Sequence, residues 1–406
     1  MSRFRRSALA LLLAATLPLP LTAAGTAFAA PASPAAHAGP ADRTVLELPL
    51  PTGPYAVGRD TLHLVDTHRR DPWVPSAGAR ELMASMYYPA RPGTGRAAAP
   101  YMTTPEAKRL LDGIKRSDVL PPEQVAATRT HARTGARAVG GKHPLVVLSP
   151  GFSLPRATLS LLAEELTSRG YVVALLDHAY ESFGTTFPGG RTLTCVACDT
   201  VGQAPKENQR KLMAKVATGR AADISFVLDT LTAAAPGRPH APAWRHSAMI
   251  DRKRIGVAGH SVGGNSAVPA MAADHRIRAG VNMDGGFSAP VPRAGLGGRP
   301  FLMLGSLNGH APGSADATWL RAWNRLDGWK RWLTVRDAGH FTFIDLPVLA
   351  AQIGVTDPSA PISGKRSGEI TRDYVSAFFD AQLRGLHRPL LDGPSAANPE
   401  VVFQNP

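Results

Sequence analysis

The pentapeptide Gly259-His260-Ser261-Val262-Gly263 stands between an apolar run, Arg254-Ile255-Gly256-Val257-Ala258, and a small-residue stretch over residues 265–273. A G-x-S-x-G sequence set between a strand and a helix constrains a chain more than any other feature here. The backbone must reverse sharply, the serine takes a strained conformation above the end of a sheet, and the glycines let strand and helix approach closely. The amide of Val262 then points into the site at a helix N-terminus.

The surrounding pattern agrees with such a turn. Residues 145–148, 171–176, 279–283, 300–304 and 331–335 are short continuous apolar runs, as buried parallel strands are. Between them lie helical spacings, over residues 158–169 with Leu159, Leu162, Ala163 and Leu166 on one face, and over 206–231 with a break near Gly219. Alternation of this kind specifies an α/β fold, a mainly parallel sheet with helices on both faces. Residues 61–66 and 82–88 read as two strands separated by Asp71-Pro72 and Pro75, an antiparallel N-terminal edge. Residues 90–142 mix basic residues, Gly, Pro and short helical pieces and are expected to be an irregular insertion. An amphipathic helix over 367–383 closes a single domain expected at 45–388, with 389–406 as a tail. There are no internal repeats.

Composition narrows the class. The chain has 406 residues, 44% hydrophobic and 19% charged, ordinary values for a chain with a large core. Its formal charge is +14, but the basic residues are scattered. Without interleaved aromatics they do not make a nucleic-acid site, and contact with lipid surfaces rests on the charge alone. Residues 1–29 read as a secretory signal: basic Arg3, Arg5 and Arg6, an apolar stretch broken by Pro18 and Pro20, and Ala27-Phe28-Ala29 before a cleavage point. An uncleaved anchor is the alternative. Residues 30–44 form an Ala/Pro-rich linker, expected to be disordered, and the mature protein is expected to be secreted. Cys195 and Cys198 are the only cysteines; in an exported protein they are expected to form a local disulfide. No metal spacing accompanies them, and no cofactor is expected.

A serine hydroxyl needs a base. His340, in Asp337-Ala338-Gly339-His340-Phe341 just past the last strand, is the expected one. His275 reads as surface, His310 as a solvated residue in a Gly/Pro segment, His387 as remote, His260 as packed, and His178 as a residue that could line the pocket. The acid commonly follows the strand over 300–304, but the exit there has no carboxylate before Asp316. One strand earlier, Asp284 sits directly at a strand end, so it is preferred over Asp316 and Asp337. The loop after Leu148 supplies the second oxyanion donor, assigned to the amide of Phe152 beside that of Val262.

Taken together, Pro144-Leu145-Val146-Val147-Leu148-Ser149-Pro150-Gly151-Phe152, the run from Gly170 to His178, the Gly259–Gly264 elbow and the early acid Asp284 resemble the type II platelet-activating factor acetylhydrolase family of α/β-hydrolases and its secreted actinobacterial lipase and esterase relatives. The resemblance covers residues 51–385. It implies an α/β-hydrolase fold and a calcium-independent serine esterase acting on short or oxidised acyl groups of phospholipids, a small ester or lipid substrate. Two departures bear on substrate: Ser149-Pro150-Gly151 replaces the usual Ser-His-Gly, and the Cys195–Cys198 loop is an elaboration. A serine peptidase on the same scaffold would need an amine-recognising acidic cluster, which is missing near the motifs. A binding protein that kept the fold would not be expected to retain Ser261, His340 and Asp284.

Overall fold

The computed structural model describes residues 44–232 and 244–406. The expected signal (1–29) and nearly all of the linker (30–44) lie outside the described residues. In chain order, β1 (Ala56–Arg70) and β2 (Ala79–Ala90) come first, paired antiparallel with Leu64 opposite Leu82. Both extend beyond the apolar runs at 61–66 and 82–88. On β1, buried and open positions alternate, so polar residues such as His63 and His68 belong to the strand although they interrupt its hydrophobicity.

The segment expected to be irregular carries short elements, α1 (Thr104–Gly113), α2 (Pro122–Ala126) and β3 (Arg133–Thr134), joined by irregular backbone as expected. Thr103 and Glu106 form a reciprocal capping box that starts α1. Ala107, Leu110 and Val125 bury into the main core, and β3 pairs parallel with β1.

The alternating part then runs β4 (His143–Ser149), α3 (Ser160–Ser168), β5 (Val172–His178), a ribbon of β6 (Thr185–Thr186) and β7 (Thr192–Leu193), α4 (Val196–Gln203), α5 (Lys206–Thr232), β8 (Ile250–His260) and α6 (Val262–Ala273). It continues with β9 (Ile277–Met283), β10 (Phe301–Ser306), α7 (Leu307–His310), α8 (Thr318–Arg325), β11 (Lys330–Val335), α9 (Asp345–Ala351), α10 (Gly364–Arg384) and β12 (Val401–Gln404). Ten strands form one sheet in the order β12-β11-β10-β9-β8-β4-β5-β2-β1-β3. The centre, from β11 to β5, is parallel; β2 and β12 flank it antiparallel.

The apolar runs are continuous because these strands are buried twice over. Val146 and Leu148 on β4 pack into the core beneath α3 and α10, whereas Leu145 and Val147 face the other half, with α5 and α6. Two expectations need correction. The helix over 206–231 is unbroken at Gly219, where an added Cβ would meet nothing within 4 Å. Residues 389–406 are no tail: β12 pairs with β11, with Val401 opposite Val335. Its apolar residues are too few to show periodicity. No helix among the described residues is long and apolar enough to cross a membrane.

Candidate active site

Strand β8 delivers Ser261 to a turn that only tight packing sustains. Its φ of 55° and ψ of −125° lie in a region that side chains rarely adopt. The Ser261 amide donates to the carbonyl of Met283, 2.7 Å away at the end of β9. A Cβ on Gly263 would fall 2.1 Å from the Ser149 carbonyl oxygen, and one on Gly285 the same distance from that of Ser261. Glycine is therefore required here by close approach. The ends of β4, β8 and β9 meet at the serine.

Asp284 follows β9 with φ 56°, its amide donating to Leu304 at 2.8 Å. One carboxylate oxygen, Oδ1, accepts the Ser306 amide at 2.6 Å; the other, Oδ2, lies 2.7 Å from His340 Nδ1. Burial alone would raise the Asp284 pKa. The hydrogen bond from His340 and the charges of His310 and His340 outweigh it and hold the carboxyl below its ordinary value. His340 opens a short 3-10 turn after β11, and its Nε2 lies 3.1 Å from Ser261 Oγ. The structure thus brings Ser261, His340 and Asp284 together. Asp337 lies nearby but binds Ile362 through its backbone carbonyl.

The remaining histidines separate clearly. His260 is buried and donates through Nε2 to the His340 carbonyl at 2.7 Å. Burial, then the neighbouring His340, pushes its pKa down to about 3, so it packs and holds the His340 backbone. His275 is exposed beyond α6, and His387 is exposed and pairs with Asp392. His178 lies in the interior. It is buried between Ser149 Oγ at 3.0 Å and Asp223 at 2.8 Å. His310 is likewise not solvated: it is buried and stacked on Trp319. Its Nε2 lies 3.5 Å from Asp284 and its Nδ1 lies 3.2 Å from Asp316. Asp316, the second candidate acid, therefore sits one imidazole away from Asp284.

Phe152 belongs to the loop after β4, which Gly263 contacts directly. Neither its amide nor that of Val262 donates to another protein group among the hydrogen bonds of the described residues. The side chains of Phe152 and Val262 join an apolar cluster with Trp73, Met213, Val216 and Ala289 beside the serine. Behind the loop lies a charged core that sequence reading missed. Arg220 donates to the Pro150 carbonyl at 2.5 Å and to Glu181 at 2.7 Å, and the Glu181 carbonyl accepts the Ser153 amide at 3.0 Å. Arg80 pairs with Asp71, Glu181 and Asp223. Burial alone would lower the Arg80 pKa, yet Asp223 and Glu181 raise it. Cys195 and Cys198 are joined by a disulfide at the start of α4. Among the described residues no three His, Cys, Asp or Glu side chains group at metal-binding geometry.

Comparison with known proteins gives this arrangement its context. Residues 43–356 match the family model described as platelet-activating factor acetylhydrolase, isoform II. A probable 1-alkyl-2-acetylglycerophosphocholine esterase of Arthroderma benhamiae is 29% identical over 389 residues, 88% of this chain and 93% of that protein. The platelet-activating factor acetylhydrolase of Cavia porcellus is 21% identical over 253 residues, 58% of this chain and 56% of that one. Among solved structures, a ferulic acid esterase from Streptomyces cinnamoneus superposes with a TM-score of 0.76 at 42% identity, covering 89% of this chain and all of that one. With a mainly parallel sheet and relatives named as esterases, this chain belongs to the platelet-activating factor acetylhydrolase isoform II family and is a carboxylic ester hydrolase of the α/β-hydrolase fold.

Proposed function

We propose that hydrolysis runs through an acyl-enzyme on Ser261, with His340 as base and acid and Asp284 as the group that orients it. The observation that carries this reading is the continuous chain from Asp284 Oδ2 to His340 Nδ1 and from His340 Nε2 to Ser261 Oγ, at 2.7 and 3.1 Å. His340 Nε2 takes the hydroxyl proton as Oγ bonds the ester carbonyl carbon, whose oxygen becomes an anion. The amides of Phe152 and Val262 are assigned to receive that anion. The bond to the alcohol oxygen then breaks while His340 returns the proton to it. Water repeats the sequence on the acyl-enzyme, releasing the acid and restoring Ser261.

For the substrate, the preferred reading is a hydroxycinnamate ester. Likeness to the ferulic acid esterase across nearly the whole chain supports it. So does the half-buried apolar cluster of Trp73, Phe152 and Met213, a surface suited to a flat aryl group. A short sn-2 acyl phospholipid is the second reading, supported by the family match and the Arthroderma benhamiae relative. Export to the cell exterior belongs to the same proposal and rests on the N-terminal pattern alone.

The test compares methyl ferulate, p-nitrophenyl acetate and a short sn-2 acyl phosphatidylcholine on wild type and Ser261→Ala. The expected result is highest kcat/KM on methyl ferulate, with kcat in the variant down about 10⁴-fold or more. Preference for the phospholipid would move the substrate to the second reading. Activity retained by the variant would remove Ser261 as nucleophile.

A further inference from the structure

His310 carries two ring nitrogens that the reaction just described does not use. Both face carboxylates, in a place where packing alone would need neither. It closes α7, directly after β10. Its side chain is 10% exposed, and its ring lies 4.3 Å from that of Trp319, tilted by only 15°. Every element around it fixes this pose. The Trp332 indole on β11 donates to the His310 carbonyl at 2.9 Å. The Trp319 indole on α8 donates to the carbonyl of Gly285, the residue after Asp284, at 2.9 Å. Gly305 clears the space: a Cβ there would fall 2.8 Å from Trp319, 3.1 Å from His310 and 3.2 Å from Asp284 Oδ1.

The Asp284 carboxylate is consequently addressed from two sides. His340 meets Oδ2; the Ser306 amide donates to Oδ1 at 2.6 Å, and His310 Nε2 stands 3.5 Å from Oδ1 as a charge contact rather than a hydrogen bond. At the far end of the imidazole, Nδ1 lies 3.2 Å from Asp316 Oδ2, a charge contact without hydrogen-bond geometry, and Asp316 is itself fixed by accepting the Thr318 amide at 2.9 Å. A triad carboxylate acts by holding one tautomer and one orientation of its histidine, and a wrong orientation there is costly. The Ser306 amide alone leaves Oδ1 a single hydrogen bond to hold it; the imidazole of His310 beside the same oxygen adds a charge contact and a wall that oppose rotation about the Cβ–Cγ bond.

We propose that His310 is a positioning residue for ester hydrolysis, fixing the Asp284 carboxylate so that Oδ2 alone addresses His340, with Asp316 fixing His310 in turn. The inference rests on the assignment of Asp284, His340 and Ser261 above. It makes the working unit a line of five side chains, Ser261, His340, Asp284, His310 and Asp316. The two outer residues touch no substrate.

The test uses three variants of the full chain. His310→Phe keeps the stack on Trp319 and removes both nitrogens, His310→Gln keeps a donor towards Asp284, and Asp316→Asn weakens the outer tether. For His310→Phe the expected result is a fall in kcat of roughly 3- to 10-fold with KM unchanged, the size of one modest charge contact. His310→Gln is expected to recover most of that loss. Asp316→Asn is expected to lose activity alone but none in the His310→Phe background. Proton NMR adds a readout that simple packing would not move: the downfield resonance of the His340 Nδ1 proton should broaden or shift in His310→Phe and return in His310→Gln. Wild-type kcat and an unchanged resonance in His310→Phe would overturn the proposal. If that variant does not fold, wild-type kcat in Asp316→Asn would overturn it instead. Fluorophosphonate labelling of wild type separates the two levels: no labelling of Ser261 defeats the triad reading, whereas labelling with an indifferent His310 defeats this proposal alone.

Discussion

At the scale of single residues, the site is built on conformations the chain would otherwise avoid. Ser261 and Asp284 both have positive φ, at 55° and 56°, each a strain of about 1–3 kcal/mol for a residue with a side chain. Such strain persists only where neighbours leave no alternative, and the glycines create that situation by removing every Cβ between three strand ends. Gly263 shows it most directly, because an added methyl would meet the backbone oxygens of Ser149 and Pro150 at 2.1 and 2.5 Å. Backbone cannot swing aside as a side-chain tip does. Gly263→Ala is therefore expected to cost about 1–3 kcal/mol of stability by overpacking and to displace the loop carrying the Phe152 amide. Thermal unfolding should show a lower midpoint, and p-nitrophenyl acetate turnover should show a lower kcat. Wild-type kcat in a folded Gly263→Ala protein would mean that this contact does not set the oxyanion loop.

Elements matter next, because the loop after β4 is held from behind by charges carried on β2, β5 and α5. Arg80 lies on β2, His178 ends β5, Glu181 follows it, and Arg220 and Asp223 are on α5. Arg220 and Glu181 grip the two sides of the loop through Pro150 and Ser153. Replacing Arg220 by Met leaves buried Glu181 short of a partner, and breaking a buried pair from one side costs about 3–5 kcal/mol. Arg220→Met is expected to lose stability of that order in urea unfolding, and, where folded, to lose kcat more than KM. Unchanged urea stability would show that Arg80 alone neutralises Glu181. This network also marks the limit of legibility. The elbow could be read because its glycines, strand and helix are contiguous in sequence. Asp284 could be read because the next strand's exit offered no carboxylate before Asp316. Arg220 and Asp223 could not, since a helix that buries charged residues loses the apolar stripe that sequence reading relies on, and the break expected at Gly219 fell in this stretch. His310 was hidden for another reason: Asp316 and Trp319 follow it within the same connection, but the Gly/Pro-rich sequence between them gives no sign that the chain folds back to bring them, and Asp284 of another strand, against its ring. β12 is too short for any pattern and takes its place from pairing alone.

Across the whole molecule, buried carboxylates oppose one another in how they respond to pH. Burial would raise the Asp223 pKa, but Arg80 and His178 hold it below its ordinary value, so its contribution is present at neutral pH and lost in acid. Asp345 is the reverse. It opens α9, accepts the Leu161 amide of α3 at 3.3 Å and the Tyr101 hydroxyl at 3.2 Å, and so ties the 90–142 segment to two helices. Burial pushes its carboxyl up to about 8, only partly offset by those two donors. In the unfolded chain the same group titrates near ~3.9. Between these values the folded state holds a proton that the unfolded state releases, so stability from this residue is complete below about pH 4 and drains away as pH rises through about 8. Asp345→Asn keeps a carbonyl oxygen for the Leu161 amide, keeps the site neutral at every pH and removes that drain. The variant is expected to match or fall slightly below wild type at pH 5 and to exceed it at pH 9, by a gap on the order of a few kcal/mol that widens up to about pH 8 and levels off above it. Urea unfolding of both proteins across this range measures the gap. Parallel curves would show that Asp345 is already ionised in the folded protein, which would require a counter-charge at the junction of α3, α9 and Tyr101.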